Sequence, residues 1–475
     1  MTSAKQADTV LAGGAVVTVD PGRRVLDPGA VAVREDRIVA VDDRETIEET
    51  YPDAEEIDLE GTVLLPGLVD SHGHAGHGMT KALADGTGEW LDVVEEVYFR
   101  ASDEEFWRAE SYLSAVERLE YGVTTSLSYT GSMPRVDDPK YAEAAASGYA
   151  DLGLRHVVNV GPPSPPYPHV FRDVDADETV EVDLDHAFET TEAVIDRLDG
   201  TADGRISVFV GPSQLAPEAE DGEASAYDVE QMQRTRELAD AADTGIQAHA
   251  YGGQVLAAAE AVPEILGPGL SLAHCAGVSE REIELMAASG VGASHGPMTN
   301  AYARARFPVV EALDAGVTVA VSTDGSAPDR SFDLLPMGRI AAQIQRVHFN
   351  DTSLLPAGKV LETMTVDAAR VLGMADEVGS LEPGKKADVV ALDVETARMH
   401  PRAMLPERVA YVGSGLDVSF VMVDGTVLGR DRRFEGYDLD EVLADANRAF
   451  EATIDRADAH EYVRGHPDTW RSTRY

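Results

Sequence analysis

The chain has 475 residues, 44% of them hydrophobic, and its 85 acidic residues outnumber 39 basic residues to give a net charge of −46. This balance argues against nucleic acids and anionic membranes as partners, because both require a basic surface. No apolar run approaches the ~20 residues that a membrane span requires. The single cysteine, Cys275, excludes an intrachain disulfide and a cysteine-rich metal site.

The N-terminal residues lack the apolar segment of a secretory signal, which predicts a cytoplasmic protein. Acidic residues are spread along the whole chain, and lysines are few. This composition resembles that of proteins from salt-loving organisms, in which high salt screens the repulsion between surface charges. We therefore expect a halophilic, cytoplasmic protein that acts on a small molecule.

Eight apolar, β-rich runs follow the first sixty residues, and helix-like segments lie between them. An eightfold alternation of strand and helix predicts an α/β fold, the (β/α)8 TIM barrel. The runs cover residues 62–70, 123–129, 155–161, 206–212, 245–250, 270–275, 290–295 and 317–324.

Short alternating segments on both sides of the barrel predict a second, smaller domain. Residues 8–60 and 378–430 alternate apolar and polar positions, as half-exposed strands do. Each half is too small to stand alone, so we expect the two to pair as one composite β-sandwich domain. The predicted order is 1–60 for its first half, 61–377 for the barrel, 378–430 for its second half and 431–475 for a helical tail.

The first predicted barrel strand ends in His72-Gly73-His74. Alternate residues of an extended chain point to one face, so the two imidazoles can clamp one metal ion together. An H-x-H pair also occurs by chance, but this one follows a buried-type strand with a Pro-Gly break. We therefore interpret His72 and His74 as metal ligands.

Other predicted strands also end in polar residues, and the catalytic residues of barrels collect at these ends. His249 ends the fifth strand, His274 the sixth, His295 the seventh and Asp324 the eighth. Three imidazoles and one carboxylate can hold zinc or ferrous iron with a position left for water, whose pKa the metal lowers to ~7. Asp324 can accept the proton of that water, and its alternative interpretation is a plain Asp-Gly turn.

Several roles stay open at this point. His274 is either a polariser or proton carrier beside the water, or a buried hydrogen-bonded histidine. Trp90 belongs to a segment that either covers the site or simply packs, whereas Gln214 and Asn300 offer hydrogen-bonding groups. The candidate substrate contacts are His295, Gln214, Tyr251, Trp90 and Asn300.

Five stretches of the chain occur in a characteristic order. They are Leu65-Pro66-Gly67-Leu68-Val69-Asp70-Ser71-His72-Gly73-His74, Gln247-Ala248-His249-Ala250, Leu272-Ala273-His274-Cys275, Ser322-Thr323-Asp324-Gly325 and the segment 379–390. Together they resemble the metal-dependent amidohydrolase superfamily, within it the branch of aminohydrolases and chlorohydrolases that act on triazines, guanine and adenosine-like heterocycles. The resemblance extends over nearly the whole chain.

The resemblance implies the metal ligands His72, His74, His249 and Asp324, with His274 near the attacking water. Asp324 and His274 are then the catalytic residues. It implies one divalent ion, zinc in the first place and iron as the alternative, because no lysine ends the fourth predicted strand to bridge a second ion. It also implies a homodimer or larger homo-oligomer.

One departure from the family pattern concerns the fifth predicted strand. Deaminases of this branch carry His-x-x-Glu there, and the glutamate protonates a ring nitrogen of the heterocycle. This chain has His249-Ala250-Tyr251-Gly252, and glycine cannot transfer a proton. Either Tyr251, His274 or His295 replaces the acid, or the substrate needs none.

We therefore expect a metal-dependent hydrolase that cleaves a C–N bond of a small, nitrogen-rich heterocycle by attack of metal-bound hydroxide. Because Gly252 stands at the glutamate position, hydrolytic dechlorination, removal of an alkylamine and hydrolysis of a urea or amide are alternatives. An alternative of another class is a metal-binding scaffold that has lost catalysis.

Overall fold

The computed structural model describes residues 6–85, 89–302 and 305–463. Its centre is a parallel sheet whose strands follow one another in chain order and curl into a nearly closed barrel, which confirms the predicted (β/α)8 fold. The barrel strands are β1 (Leu68–Asp70), β2 (Val123–Thr130), β3 (Arg155–Val160), β4 (Ile206–Val210), β5 (Ile246–Tyr251), β6 (Leu270–Ala276), β7 (Gly292–His295) and β8 (Val319–Val321). The short strand His74–Ala75 continues β1 beside β2.

The prediction of one continuous first barrel strand is wrong, because this stretch forms two strands in two sheets. Thr62–Pro66 pairs with Val389–Asp393 and Ala15–Val17 outside the barrel, whereas β1 pairs with β2. Gly67 separates them, and a Cβ there would lie 2.0 Å from the Oγ1 of Thr124. The chain therefore enters the barrel at a point where the close approach of β2 admits only glycine.

Both ends of the chain build the predicted composite domain. Its two sheets share one buried core that includes Leu11, Val31, Leu64 and Phe420. The first sheet has the order Arg37–Asp43, Gly29–Arg34, Thr9–Ala12, Glu55–Asp58. The second has the order Arg433–Phe434, Thr426–Arg430, Val418–Val423, Val389–Asp393, Thr62–Pro66, Ala15–Val17, Val25–Leu26. Thr62–Pro66 and Arg433–Phe434 lie outside the predicted bounds of the two halves, because the sheet continues to Gly67 and through a last hairpin.

Helices surround the barrel, and several begin at a side-chain cap. Asp183, Ser225 and Ser279 each accept a hydrogen bond from a backbone N–H of the first turn. Within the described ranges no helix is long and apolar enough to cross a bilayer. The α-helices of seven residues or more are Arg44–Thr50, Trp90–Glu96, Glu104–Glu120, Lys140–Asp151, Leu184–Leu198, Ala226–Ala242, Gln254–Ala261, Glu280–Ser289, Val309–Ala315, Leu334–Phe349, Ala357–Thr363, Leu405–Val412 and Leu439–Ala457.

The residues predicted as a helical C-terminal tail, 431–475, begin with the strand Arg433–Phe434 and form helices from Leu439 to Val463. Leu439–Ala457 packs against Glu104–Glu120 on the outside of the barrel, and the short helix His460–Val463 follows it. Residues 464–475 of the predicted tail lie outside the described residues.

Candidate metal centre

Three histidines and one aspartate converge at the carboxyl ends of the barrel strands. His72 and His74 follow β1, His249 lies in β5 and Asp324 follows β8. The Oδ1 of Asp324 lies 3.3 Å from the Nε2 of His72 and 3.2 Å from the Nε2 of His74. The Nε2 atoms of His74 and His249 are 3.3 Å apart. All four residues are at most 7% exposed, so the cluster is shielded from bulk water.

Backbone carbonyls set the tautomers of two of these histidines. The Nδ1 of His74 lies 2.7 Å from the carbonyl oxygen of Gly131, and the Nδ1 of His249 lies 2.6 Å from that of Ser213. A carbonyl oxygen can only accept, so each Nδ1 carries the proton and donates it. The Nε2 of both rings is therefore a lone-pair donor that faces the cluster, as in a metal-ligating histidine.

Gln247 sets the tautomer of His72, because the other hydrogen bonds of Gln247 fix the orientation of its amide. The Nε2 of Gln247 donates to the carbonyl oxygen of Ser71 at 2.8 Å and to the hydroxyl of Ser271 at 3.0 Å. Its Oε1 therefore faces the Nδ1 of His72 at 2.8 Å and accepts the proton of that nitrogen. His72 thus also turns a bare Nε2 toward Asp324.

The donor atoms of this cluster fit a divalent metal ion. Among the described residues, the buried Nε2 of His72 and Oδ1 of Asp324 have no hydrogen-bond partner, although only 3.3 Å separates them. Two lone pairs that face each other in a buried space repel unless a cation lies between them. Three imidazoles and one carboxylate form a donor set suited to zinc or ferrous iron.

His274 adds a fourth imidazole beside the cluster. Its ring centroid lies 5.2 Å from that of His72 and 5.1 Å from that of His249. Burial lowers the pKa of His274 to about 3, although the nearby Asp324 acts in the opposite direction. The Nδ2 of Asn300 donates to the carbonyl oxygen of His274 at 3.1 Å, which supports a backbone that has a φ of +66°. His274 is therefore a neutral imidazole held at the edge of the site.

The second oxygen of Asp324 is held by residues that the sequence analysis did not single out. The hydroxyl of Thr299 donates to Oδ2 of Asp324, and Thr299 in turn accepts from Arg330. Burial alone would raise the pKa of Asp324, but His274, the contacts with His72 and His74 and the charge of Arg330 keep it well below its ordinary value. Asp324 is thus ionised, with Oδ1 toward the cluster and Oδ2 toward Thr299.

Two of the predicted substrate contacts lie directly beside the cluster. Gln214 forms a parallel bridge with His249, and its amide contacts Gln254. Tyr251 is 36% exposed and stacks near the ring of His274, with 6.2 Å between centroids. Burial, followed by the charge of Asp324, raises the pKa of Tyr251 to about 12.

Trp90 is separated from the candidate ligand His74 by the ring of His77. Its ring meets the edge of His77 at 5.6 Å, and His77 stacks on His74 at 5.0 Å. The indole is half-buried, and its Nε1 has no hydrogen-bond partner within the described ranges. These contacts place Trp90 in an aromatic wall beside the site, where its contact with substrate stays a prediction.

His295 and Asn300 have other neighbours than the cluster itself. The ring of His295 packs 5.6 Å from the buried ring of Phe307, and burial lowers its pKa to about 4. Asn300 uses its amide on the carbonyl oxygens of His274 and Ala305. Asn300 thus supports the backbone of β6 at His274, and the contacts of His295 and Asn300 with substrate stay predictions.

The backbone around Gly252 explains why no acid stands there. A Cβ at Gly252 would lie 2.4 Å from the carbonyl oxygen of Gly277, and the N–H of Gly252 donates to the carbonyl oxygen of Ala276 at 3.0 Å. The ends of β5 and β6 approach each other here without room for a side chain. The position at which the family resemblance implies a glutamate is therefore closed by backbone.

Most of the chain matches a known protein family. The profile of the amidohydrolase family matches residues 63–428. The chain belongs to the amidohydrolase family. A second profile, the imidazolonepropionase-like composite domain of bacteria, matches residues 29–54 of this amidohydrolase. The family match and the deaminase relatives show a metal-dependent hydrolase that acts on C–N bonds other than peptide bonds.

The amidohydrolase has similar relatives over nearly its whole length. It is 33% identical to a 5-methylthioadenosine/S-adenosylhomocysteine deaminase of Desulforudis audaxviator, over 90% of its own length and 95% of that protein. It is 29% identical to a 5′-deoxyadenosine deaminase of Methanosarcina acetivorans, over 95% of its own length and 100% of that protein.

Two solved structures share its fold. An adenosine deaminase from Xanthomonas campestris with bound zinc superposes with a TM-score of 0.81 at 24% identity, over 95% of this amidohydrolase and 99% of that chain. An atrazine chlorohydrolase from Arthrobacter aurescens complexed with zinc superposes with a TM-score of 0.75 at 22% identity, over 93% of this amidohydrolase and 100% of that chain.

Proposed function

We propose that this amidohydrolase binds one divalent ion, zinc in the first place, on His72, His74, His249 and Asp324. The observations that carry the proposal are the Nδ1 contacts of the three histidines, which leave the Nε2 atoms of His72 and His74 bare beside Oδ1 of Asp324 and the Nε2 of His249 bare beside that of His74. A bound ion of this kind supplies an activated water as the nucleophile.

The proposed reaction removes an exocyclic amine from a small nitrogen heterocycle by hydrolysis. Asp324 accepts the proton of the attacking water and passes it to the nitrogen of the departing amine. His274, as a neutral imidazole at the edge of the cluster, orients the water. Whole-length similarity to two adenosine-type deaminases supports an amine as the leaving group.

A second candidate is the displacement of chloride or an alkylamine from a heterocycle. Gly252 favours chloride as the leaving group, because chloride leaves without being protonated and the backbone of Gly277 closes the position where an acid would stand, whereas an alkylamine would still take its proton from Asp324. The fold shared with an atrazine chlorohydrolase is compatible with this reaction but does not select it.

Metal analysis and turnover together test the proposal. We expect one zinc per chain in the wild type and hydrolysis of a member of a panel of aminopurines, amino- and chlorotriazines, ureas and amides. His249→Ala and Asp324→Ala should lose both the metal and the activity. The matched control is His348→Ala, because this histidine is exposed on the helix Leu334–Phe349. Full activity of either metal-free variant would overturn the mechanism, and bound zinc without any turnover would favour the scaffold.

We also propose that the enzyme is cytoplasmic, halophilic and a homodimer or larger homo-oligomer. The net charge of −46 supports the high-salt environment, and the family resemblance supports the assembly. Sedimentation velocity in about 2 M KCl, where charge repulsion is screened, measures the assembly. A single monomer boundary over the accessible concentration range would refute the oligomer.

A further inference from the structure

We propose that Gln214 is the residue that contacts the heterocyclic ring in place of the missing acid, and that it does so as a neutral hydrogen-bond donor. The inference rests on the proposed hydrolysis of a nitrogen heterocycle and adds the group that selects the ring. It is carried by the position of Gln214 beside His249 and by a chain of hydrogen bonds that sets which end of its amide is free.

The position of Gln214 follows from its backbone pairing with His249. The N–H of His249 donates to the carbonyl oxygen of Ser213 at 3.3 Å, and the N–H of Leu215 donates to that of His249 at 2.9 Å. These bonds make Gln214 and His249 a parallel β-bridge pair. Paired residues of neighbouring strands project to the same face, so Gln214 shares the face that carries this proposed metal ligand.

The orientation of the Gln214 amide, that is, which of its ends is the oxygen, follows from the backbone N–H of Tyr251. The N–H of Tyr251 donates to the side chain of Gln254 at 3.3 Å, so Gln254 must present its Oε1 there. The Nε2 of Gln254 then donates to Gln214 at 3.0 Å, which makes the accepting atom Oε1 of Gln214. The NH₂ group of Gln214 has no protein acceptor among the described residues, and its two N–H bonds are available to a ligand.

The chemistry of the ring follows from this donor. When water attacks a ring carbon, a C–O bond forms and an electron pair moves onto the adjacent ring nitrogen. A glutamic acid would protonate that nitrogen, whereas an amide N–H only hydrogen-bonds to it. In this enzyme the proton of the water passes to Asp324 and then to the departing amine as the C–N bond breaks, and the ring nitrogen receives no proton from Gln214.

The substrate class is therefore an electron-poor azine with several ring nitrogens, which holds negative charge without protonation. An aminopurine is the less suitable ring, because its reaction depends more strongly on proton transfer to the ring. Gln214 thus acts as the residue that determines specificity between these two rings.

Three substitutions test the inference in the zinc-loaded enzyme. The probes are melamine as the azine, 5′-deoxyadenosine as the aminopurine and 2,4,6-trimethyl-1,3,5-triazine, which has no exocyclic amine, as an unreactive azine for calorimetric binding. Gln214→Leu should lower kcat/KM for melamine, and the affinity for the trimethyltriazine, by about tenfold with unchanged zinc content. Gln214→Glu places a carboxyl group at the same position and should shift the preference toward 5′-deoxyadenosine. Gln343→Leu, at an exposed position of a helix, is the matched control.

The outcomes separate this inference from the proposed function. A wild type that turns over either probe with no change in Gln214→Leu or Gln214→Glu overturns the role of Gln214 alone. A wild type that prefers 5′-deoxyadenosine overturns the azine class. A wild type that binds zinc but neither binds nor turns over any probe overturns the inference, and failure on the whole substrate panel then overturns the proposed function as well.

Discussion

Asp70 accepts two hydrogen bonds from Thr323, one from the backbone N–H at 2.9 Å and one from the hydroxyl at 2.5 Å. Asp70 ends β1 and Thr323 follows β8, and among the described residues the ladder of the barrel does not pair these two strands directly. The N–H of Asp324 also donates to the carbonyl oxygen of His72 at 3.1 Å. These bonds thus close the seam of the barrel beside the candidate metal centre, and they set the spacing between the candidate ligands from its first and last strands.

We expect Thr323→Val to weaken zinc binding about tenfold, because the hydroxyl that holds Asp70 is lost while the shape of the side chain is kept. The stability cost should be about 2 kcal/mol, that of one hydrogen bond to a charged group. Competition with a chromogenic zinc chelator measures the affinity, and urea unfolding measures the stability.

Asp70→Asn should be more damaging than Thr323→Val. The Nη2 of Arg118 lies 3.5 Å from Asp70 and both side chains are at most 1% exposed, so the substitution leaves a buried cation without its carboxylate. We expect a loss of about 3 kcal/mol in the free energy of unfolding. Equal zinc affinity in wild type and both variants would show that the seam does not position the ligands.

Gly252→Ala should destabilise the enzyme by about 2 kcal/mol, because its Cβ would lie 2.4 Å from the carbonyl oxygen of Gly277. Gly358→Ala is the matched control: it lies in the helix Ala357–Thr363, where an added Cβ would meet nothing within 4 Å, and should stabilise by about 0.5 kcal/mol. Denaturant midpoints measure both. A Gly252→Ala variant as stable as wild type would show that this contact relaxes, and Gly252→Glu could then install an acid.

The free energy of unfolding should fall on mild acidification, because two buried histidines outside the candidate ligand set resist protonation. Burial, followed by the charge of Arg118, lowers the pKa of His156 well below 6.5, and burial lowers that of His295 to about 4. The unfolded chain binds protons near pH 6.5 and the folded chain does not, so this stability is complete above pH 6.5 and is lost as the pH falls toward 4.

Thermal unfolding at pH 7.5, 6.5 and about 5 measures the loss of stability that the buried histidines cause. A chelator removes metal ions, and most carboxylates stay ionised over this range. His156→Phe keeps the stack on Tyr149, whose centroid lies 3.8 Å away, and should make the pH dependence shallower. An identical unfolding temperature at pH 7.5 and 5 would contradict the prediction.

Salt should stabilise the fold, because a net charge of −46 repels itself. The screening length falls from ~10 Å at 0.1 M to ~3 Å at 1 M salt, so we expect the unfolding temperature to rise by several degrees between these concentrations of KCl. Sucrose, which adds no ions, serves as the control. An unfolding temperature that does not rise with KCl would remove the argument for a halophilic protein.

The barrel and the candidate ligands could be predicted because their signals are local. Each ligand lies beside an apolar run, and the spacing of His72 and His74 needs no tertiary information. The crossing at Gly67 could not be predicted in this way. Residues Thr62–Pro66 join a sheet with Val389–Asp393, and a pairing over more than 300 residues leaves no mark in the local pattern.

The contacts of a side chain could not be predicted from its position at the end of a strand. His295 and His249 both lie at the carboxyl ends of barrel strands, β7 and β5. The ring of His295 nevertheless packs against Phe307. Thr299 and Arg330, which hold Asp324, lie in segments without a pattern to identify them. Gln247 offered one usable signal, since it precedes His249 by two residues and therefore shares its face.

By itself, the sequence determined the family, the barrel and the residue types of the metal centre, since these depend on periodicity and on short motifs. Only the tertiary structure decided the tautomers of the histidines, because Gln247, Gly131 and Ser213 come from other strands and loops. It also decided why the acid is missing, since the carbonyl oxygen of Gly277 occupies the space beside Gly252. Such contacts join distant parts of the chain, and their geometry exists only once the barrel has closed.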